Sequence, residues 1–406
     1  MLTQTLANGA VPDNWSIRDQ AARWNPVLAV LASGLVWALF GLPFLRVAPN
    51  RLVSGEAVSF ISILQGPAWL LAVTLVLITL AAFLKPRREL LWPVATLSCV
   101  LIAGLVWLAG AHASFVAQTA SPIARTSLGG GFWAALLLSG LIAADALRRS
   151  GTRTTLIAAL LLPVGFMLAT GWCDDLSIMK EYVSRSELFM QALARHIQIV
   201  LVALLPTLCI GLPLGCLAHR NSAVGRVVFP LLNVIQTIPS IALFGLLMAP
   251  LAMLAAAWPV LGKAGISGVG LAPGVIALTL YSLLPVVRGM LTGLQQLASS
   301  VIDAANGIGM TRAQIFWRVE APLASPVVLA GIRTATIQSV GLAAVTALIG
   351  AGGLGAIMFE GLFSSAQDLV LLGVLPIIAL GGLADVAFTA LISLVSQKQS
   401  PQGPQA

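Results

Sequence analysis

Val301-Ile-Asp-Ala-Ala-Asn-Gly-Ile-Gly-Met-Thr-Arg-Ala-Gln-Ile-Phe-Trp-Arg-Val-Glu-Ala-Pro322 leads on to Gly331-Ile-Arg-Thr-Ala-Thr336. This is the longest plainly amphiphilic stretch in a chain that is otherwise mostly apolar. It reads as two short helices hinged at a glycine and lying outside a membrane. Ser299 and Ser300 offer caps for a helix carrying Asp303. Ala304 and Ala305 are small enough to let another surface approach. Gly307 and Gly309 can end that helix with a positive backbone angle. Thr311 stands three residues before Gln314, the spacing of a capping box that starts a second helix. Ile315, Phe316 and Val319 share one face, while Arg312, Arg318 and Glu320 fall largely elsewhere. Pro322 is expected to close the segment, because proline disfavours helix in the residue before it.

Around this stretch the composition sets the class. Apolar residues make up 58% of the 406 residues and charged residues 9%, against about 25% charged in a soluble domain. That balance describes an integral membrane protein of all-α class. The net charge of +8 does not signal nucleic acid, because the basic residues are scattered through short loops. Cys99, Cys173, Cys209 and Cys216 show no metal-type spacing and read as small core residues. About ten transmembrane helices are expected. Five lie in the first half, at 26–45, 68–84, 90–113, 131–147 and 155–172. Five lie in the second half, at 197–217, 227–257 (long and bent), 271–290, 325–349 and 369–395.

Alternating these spans from a cytoplasmic N-terminus places fourteen Lys and Arg residues inside and seven outside, with Arg333 left within a span. The inside set includes Arg18, Arg23, Arg88, Arg148, Arg153, Arg312, Arg318 and Lys398; Arg51 falls outside. The excess sets the orientation, with both termini and the Asp303 stretch in the cytoplasm. The densest mixed charge, Asp174 to Glu187, marks a seam. The expected organisation is a cytoplasmic segment 1–25 and an accessory module 26–172. An extracytoplasmic (periplasmic) linker 173–191, a transport core 192–396 and a cytoplasmic tail 397–406 follow.

Polar groups inside the core spans point to a pathway or to bonds between helices. Pro239 should break or kink its helix and free backbone groups that only protein or a wet cavity can satisfy. Gln236, Thr237 and Ser240 cluster there, and Arg333 and Thr336 add polarity to a later span. Gly350, Gly352 and Gly355 satisfy a dinucleotide-type glycine pattern. They follow a membrane span rather than a strand and read as an outer turn. Asp145 and Asp385 read as ordinary partners of basic residues. His112, His196 and His219 are far apart in sequence. There is no metal-ligand spacing, nucleophile signature or Walker A pattern, so no catalytic, cofactor or metal residue is assigned.

Asp303-Ala304-Ala305, three residues, Gly309, nine residues, then Val319-x-Ala321-Pro322 resembles the EAA loop of ABC importer permeases. Asp, Val and Ala replace the family's Glu, Ile and Leu. Gln236-Thr-Ile-Pro-Ser240, Gly331-Ile-Arg-Thr-Ala-Thr336 and Leu348-Ile-Gly-Ala-Gly-Gly-Leu-Gly355 narrow the likeness to permeases of glycine betaine, choline and carnitine importers. The extra spans are similar in layout to long-form osmoprotectant permeases of the YehY kind. The resemblance implies a MetI-like, type I core whose 301–322 loop docks on a separate ATPase subunit that binds ATP and Mg. It further implies an extracytoplasmic binding protein, a second permease chain and a bacterial inner membrane. The rival readings are a permease for another small solute, an ion-coupled secondary transporter using Asp385 or Arg333, and a non-transporting membrane scaffold.

Overall fold

The computed structural model describes residues 24–399 except 51, 52, 54, 86, 121, 122, 151–153 and 264. The segments 1–23 and 400–406 lie outside the described residues, as do Arg18, Arg23, Arg51 and Arg153, and the side chains of Arg88, Arg148 and Lys398. The chain divides into two compact units, residues 1–183 and 184–406.

In the first unit, α1 (Pro26–Gly41) starts with proline in its first turn and with the Asn25 side chain accepting from the Leu28 N–H at 3.2 Å. It stops at Gly41, short of the expected Leu45. Leu42 precedes Pro43 and is extended, with φ −116° and ψ 152°, the conformation that a following proline enforces. The chain then turns into β1 (Leu45–Ala48), which pairs antiparallel with β2 (Glu56–Val58) and β3 (Arg125–Leu128) in the order β2-β1-β3. This sheet is absent from the all-helical expectation. Helices α2 (Trp69–Phe83), α3 (Arg88–Thr119), α4 (Gly130–Ser150) and α5 (Thr154–Ala169) complete the bundle, and α6 (Ser177–Ser184) follows. β1 follows α1, β3 follows α3, and Leu176, which bridges to Thr126, follows α5. The outgoing ends of these three helices therefore meet at the sheet. Phe44, edge-on to both Phe60 and Phe132, seals that end, and Leu35, Ile78, Leu105 and Ile142 fill the bundle below.

The second unit is built on α11 (Leu271–Gln295), the most enclosed helix, between α7 (Ser186–Arg220) and α14 (Ala321–Ala343). Small residues let these helices close up, as they do where lipid supplies no hydrophobic drive. A Cβ added at Gly289 would lie 2.9 Å from the Gly331 Cα, and one at Gly331 would lie 2.6 Å from the Pro285 carbonyl. Around this trio run α8 (Ser222–Thr237), α9 (Ser240–Ala257), α10 (Pro259–Lys263), α12 (Ser299–Gly307), α13 (Arg312–Ile315), α15 (Leu354–Phe363) and α16 (Gln367–Gln399).

Among the described residues, eight helices are long and apolar enough to cross a membrane, against the ten expected. α1 and α5 have 16 residues each. That is about 24 Å of helix, short of the roughly 30 Å hydrocarbon layer. The expected bent span 227–257 is two separate helices, α8 and α9, of which only the 18-residue α9 meets the length criterion.

Candidate functional site

The hairpin around Gly309 folds as its turn chemistry dictates. α12 ends in a Schellman motif: the Gly309 N–H donates to the Asn306 carbonyl at 2.9 Å and the Met310 N–H to the Ala305 carbonyl at 3.2 Å. Gly309 itself sits at φ +81°. The capping box then forms in full. The Gln314 N–H donates to Thr311 Oγ1 at 3.3 Å, and the Thr311 N–H donates to Gln314 Oε1 at 2.8 Å. Two local expectations are corrected. Ser299 and Ser300 are the first residues of α12 rather than its cap, which is Ala298 with no side-chain bond. Pro322 does not close the segment. A π turn over Phe316–Glu320 widens the helix just ahead of it, so helix runs without interruption from Arg312 to Ala343. The wider turn accommodates the missing N–H and the ring of Pro322.

Ala305 and Ile315 turn inward, while Asp303, Ala304, Gly309 and Pro322 are exposed and Val319 is half-buried. Ile308 and Trp317 project apolar side chains that are 78% and 72% exposed. The Arg220 guanidinium at the end of α7 lies 5.6 Å from the Phe316 ring centroid, a cation–π contact that ties the hairpin to a long helix. The hairpin is thus anchored on one side and offers exposed apolar side chains together with charges of both signs, Asp303, Arg312 and Arg318, on the other.

The break at Pro239 is held by Tyr281 of α11. Its hydroxyl donates to the Ile238 carbonyl, a group released where α8 ends. Gln236 donates its amide to the Tyr281 carbonyl at 2.9 Å, and Gln338 reaches the same carbonyl from α14 at 3.5 Å. Three helices therefore converge on one residue. The expected pathway residues do not form one cluster. Thr237 bonds back to the Val234 carbonyl and Thr336 to the Ile332 carbonyl. Pro239 is exposed, and Ser240 starts α9. Arg333 pairs with Asp385 of α16 at 2.6 Å, and Asp145 pairs with Arg149 one turn along α4.

Further bonds fasten α7 to α14 and its sequel. Fully buried His196 contacts the Val340 carbonyl through Nε2 at 3.1 Å, and Arg195 Nε donates to the Ala351 carbonyl at 2.9 Å. The glycine-rich turn 350–355 is thereby pinned to α7 and leads into α15, with no strand ahead of it. Neither Tyr281 nor His196 stands out as a partner in the sequence, because each bonds to a backbone carbonyl that carries no residue signature.

Residues 208–397 match the model of the binding-protein-dependent transport system inner membrane component family. The osmoprotectant import permease protein OsmW of Salmonella typhimurium is 40% identical over 183 residues, which span 45% of this chain and 80% of that protein. The chain belongs to that family. The choline transport system permease protein OpuBB of Bacillus subtilis is 35% identical, over 52% of this permease and 88% of its own length. The other half of the permease, residues 23–179, matches the N-terminal domain model of the ABC transporter permease YehY. Among solved structures, a chain of the MetNI methionine ABC transporter in inward facing conformations is similar at a TM-score of 0.45 and 22% identity. The match covers 52% of this chain and 98% of that one.

Proposed function

We propose that this permease is the membrane-spanning subunit of an ATP-driven importer of small osmoprotectants such as glycine betaine or choline. The hairpin 301–322 carries the reading. It is locally rigid, anchored to α7 through Arg220 and Phe316, and presents Asp303, Ile308 and Trp317 outward. That is the form a handle for a separate ATPase must take. Relatives that are osmoprotectant and choline permeases suggest the solute class.

In this reading ATP and Mg are bound by two ATPase chains, and this chain performs no hydrolysis. ATP-driven closure moves the hairpins of two permease chains, identical or paralogous. The cores rock between inside-open and outside-open states, and an extracytoplasmic binding protein delivers the solute. The hairpin and both termini lie in the cytoplasm of a bacterium whose inner membrane holds the complex, a reading that the excess of Lys and Arg on that side of the expected spans supports. Residues 26–172 are an accessory module joined by 173–191 to the core 192–396. Gln236, Thr237, Pro239, Ser240, Arg333 and Thr336 stand close to the solute's route.

The test is uptake of radiolabelled glycine betaine and choline into proteoliposomes that hold the permease with its neighbouring gene products. Uptake that needs internal ATP and an external binding protein supports the proposal. Uptake driven by an ion gradient alone refutes it in favour of a secondary transporter.

A further inference from the structure

The Arg333–Asp385 pair is the one ion pair among the described residues that joins two long helices of the core at membrane depth. Arg333 lies eight residues beyond Ser325, and Asp385 lies ten residues before Val395. Measured from the ends of the spans 325–349 and 369–395 expected from the sequence, at 1.5 Å per residue, these are about 12 and 15 Å in from the same side, near the middle of each. The two side chains remain 36% and 42% exposed. Charges left open to hydrocarbon at that depth are costly, so an exposed pair there faces water or protein.

The exposed face of α14 agrees. Between Ser325 and Ala343 the exposed residues are Ala330, Thr334 and Gly341, and no large apolar side chain is exposed. On α16 and α9, by contrast, Ile378, Leu383, Val386, Leu246 and Met253 are all exposed. Those two helices offer lipid-type faces, and α14 does not. Arg333 borders this stripe of small residues, next to Thr334. Both guanidinium contacts, from Nε and Nη2, fall on Asp385 Oδ1.

Building on the import reading above, we propose that Arg333 and Asp385 form a low-affinity zwitterion site lining a water-filled passage. The pair opens to accept the solute. The guanidinium takes the solute carboxylate in a charge-assisted bond, and the Asp385 carboxylate faces its quaternary ammonium. When the solute leaves, the two side chains close on each other, so neither charge is left unpaired at depth.

The experiment compares glycine betaine, a zwitterion, with choline, a cation without a carboxylate, in the full complex. Arg333→Gln is expected to lower glycine betaine uptake at least about tenfold while changing choline uptake much less, and Asp385→Asn to lower both. The double exchange Arg333→Asp with Asp385→Arg separates site from scaffold. A purely structural pair loses both solutes alike in each single variant and regains both in the double variant, and that result overturns the proposal.

A second measurement leaves the pair intact. Thr334→Cys, in a chain whose four natural cysteines are alanine, is treated with a membrane-impermeant thiol reagent in the assembled complex. Labelling that slows with glycine betaine supports the passage. Absence of labelling shows a lipid or protein-covered face and overturns it. Wild-type complex that imports neither solute defeats the osmoprotectant reading, and the zwitterion assignment with it. The Thr334→Cys labelling still decides whether the face is wet.

Discussion

Replacing Gly309 with valine should uncouple the transporter while leaving the membrane helices intact. Gly309 sits at φ +81°, and nothing lies within 4 Å of an added Cβ. The substitution therefore meets no steric wall, and its cost is purely that of the backbone angle. A left-handed conformation costs an L-residue about 1–2 kcal/mol, with β-branched side chains at the upper end. Relief requires a negative φ. That gives up the Gly309 and Met310 N–H bonds to Asn306 and Ala305 and re-aims α13. At 1.4 kcal/mol per tenfold, the native hairpin falls in population by about 5- to 30-fold. ATP-dependent uptake per assembled complex in proteoliposomes should drop in that range. Asparagine, which tolerates the angle, should stay near wild type and alanine should fall between. Wild-type uptake in the valine variant would refute the reasoning. So would an asparagine variant as impaired as valine, because the effect would then not follow the backbone angle.

Tyr281→Phe removes the donor that satisfies the Ile238 carbonyl at the helix break. It should cost about 1–3 kcal/mol, read as a lower midpoint of thermal unfolding in detergent; an unchanged midpoint counts against the clamp. Gly331→Leu would set a Cβ 2.6 Å from the Pro285 carbonyl, forcing α11 and α14 apart, and should sharply reduce recovery of monodisperse complex on size exclusion. Thr311→Ala breaks the capping box at a cost of about 1 kcal/mol. It should increase proteolytic cleavage between Gly309 and Phe316 without affecting insertion. Burial, with Asp174 adjacent, pushes the Cys173 thiol up from its ordinary value. Cys173 should therefore resist maleimide in the native complex at neutral pH and react once the protein is denatured, as followed by mass spectrometry.

What the sequence discloses and what it hides divide along sequence separation. The Gly309 turn and the Thr311–Gln314 box are legible because each is decided within four or five residues by backbone angles and short side chains. Pro239 is legible as a disturbance for the same reason, since it removes a donor, but not as the full break that makes 227–257 two helices, because prolines such as Pro285 and Pro326 sit inside unbroken ones. Pro43 carries an equally local signal, and it ends α1 four residues before the hydropathy does. The three-stranded sheet is another matter. Its strands are three or four residues long, too short for an alternating pattern. The pairing of Leu45 with Leu128 depends on helices bringing distant loops together. Arg333 and Asp385 are legible as costly residues within spans, but their partnership is set by how α14 packs on α16, 52 residues apart. Pro322 reads as a stop only if the helix ahead of it is regular, and the π turn makes it otherwise.

The unbroken helix from Arg312 to Ala343 gives the hairpin mechanical reach. Its 32 residues extend about 48 Å. It lies close along α11: Gly331 meets Gly289 and Pro285, Ala324 meets Gly293, and Ser339 bonds Ser282 at 2.8 Å. Gly331 lies 19 residues from Arg312 and 12 from Ala343, about 29 and 18 Å along the helix. The far end is where His196 holds Val340 and Arg195 holds Ala351, so in the proposed reading a displacement of the hairpin carried along this helix would reach the glycine-rich turn 350–355. Arg333 stands two residues past Gly331, in the stretch held closely against α11. If the proposed site is right, a charge held there by close packing would let one pair of side chains serve in the inside-open and outside-open states alike.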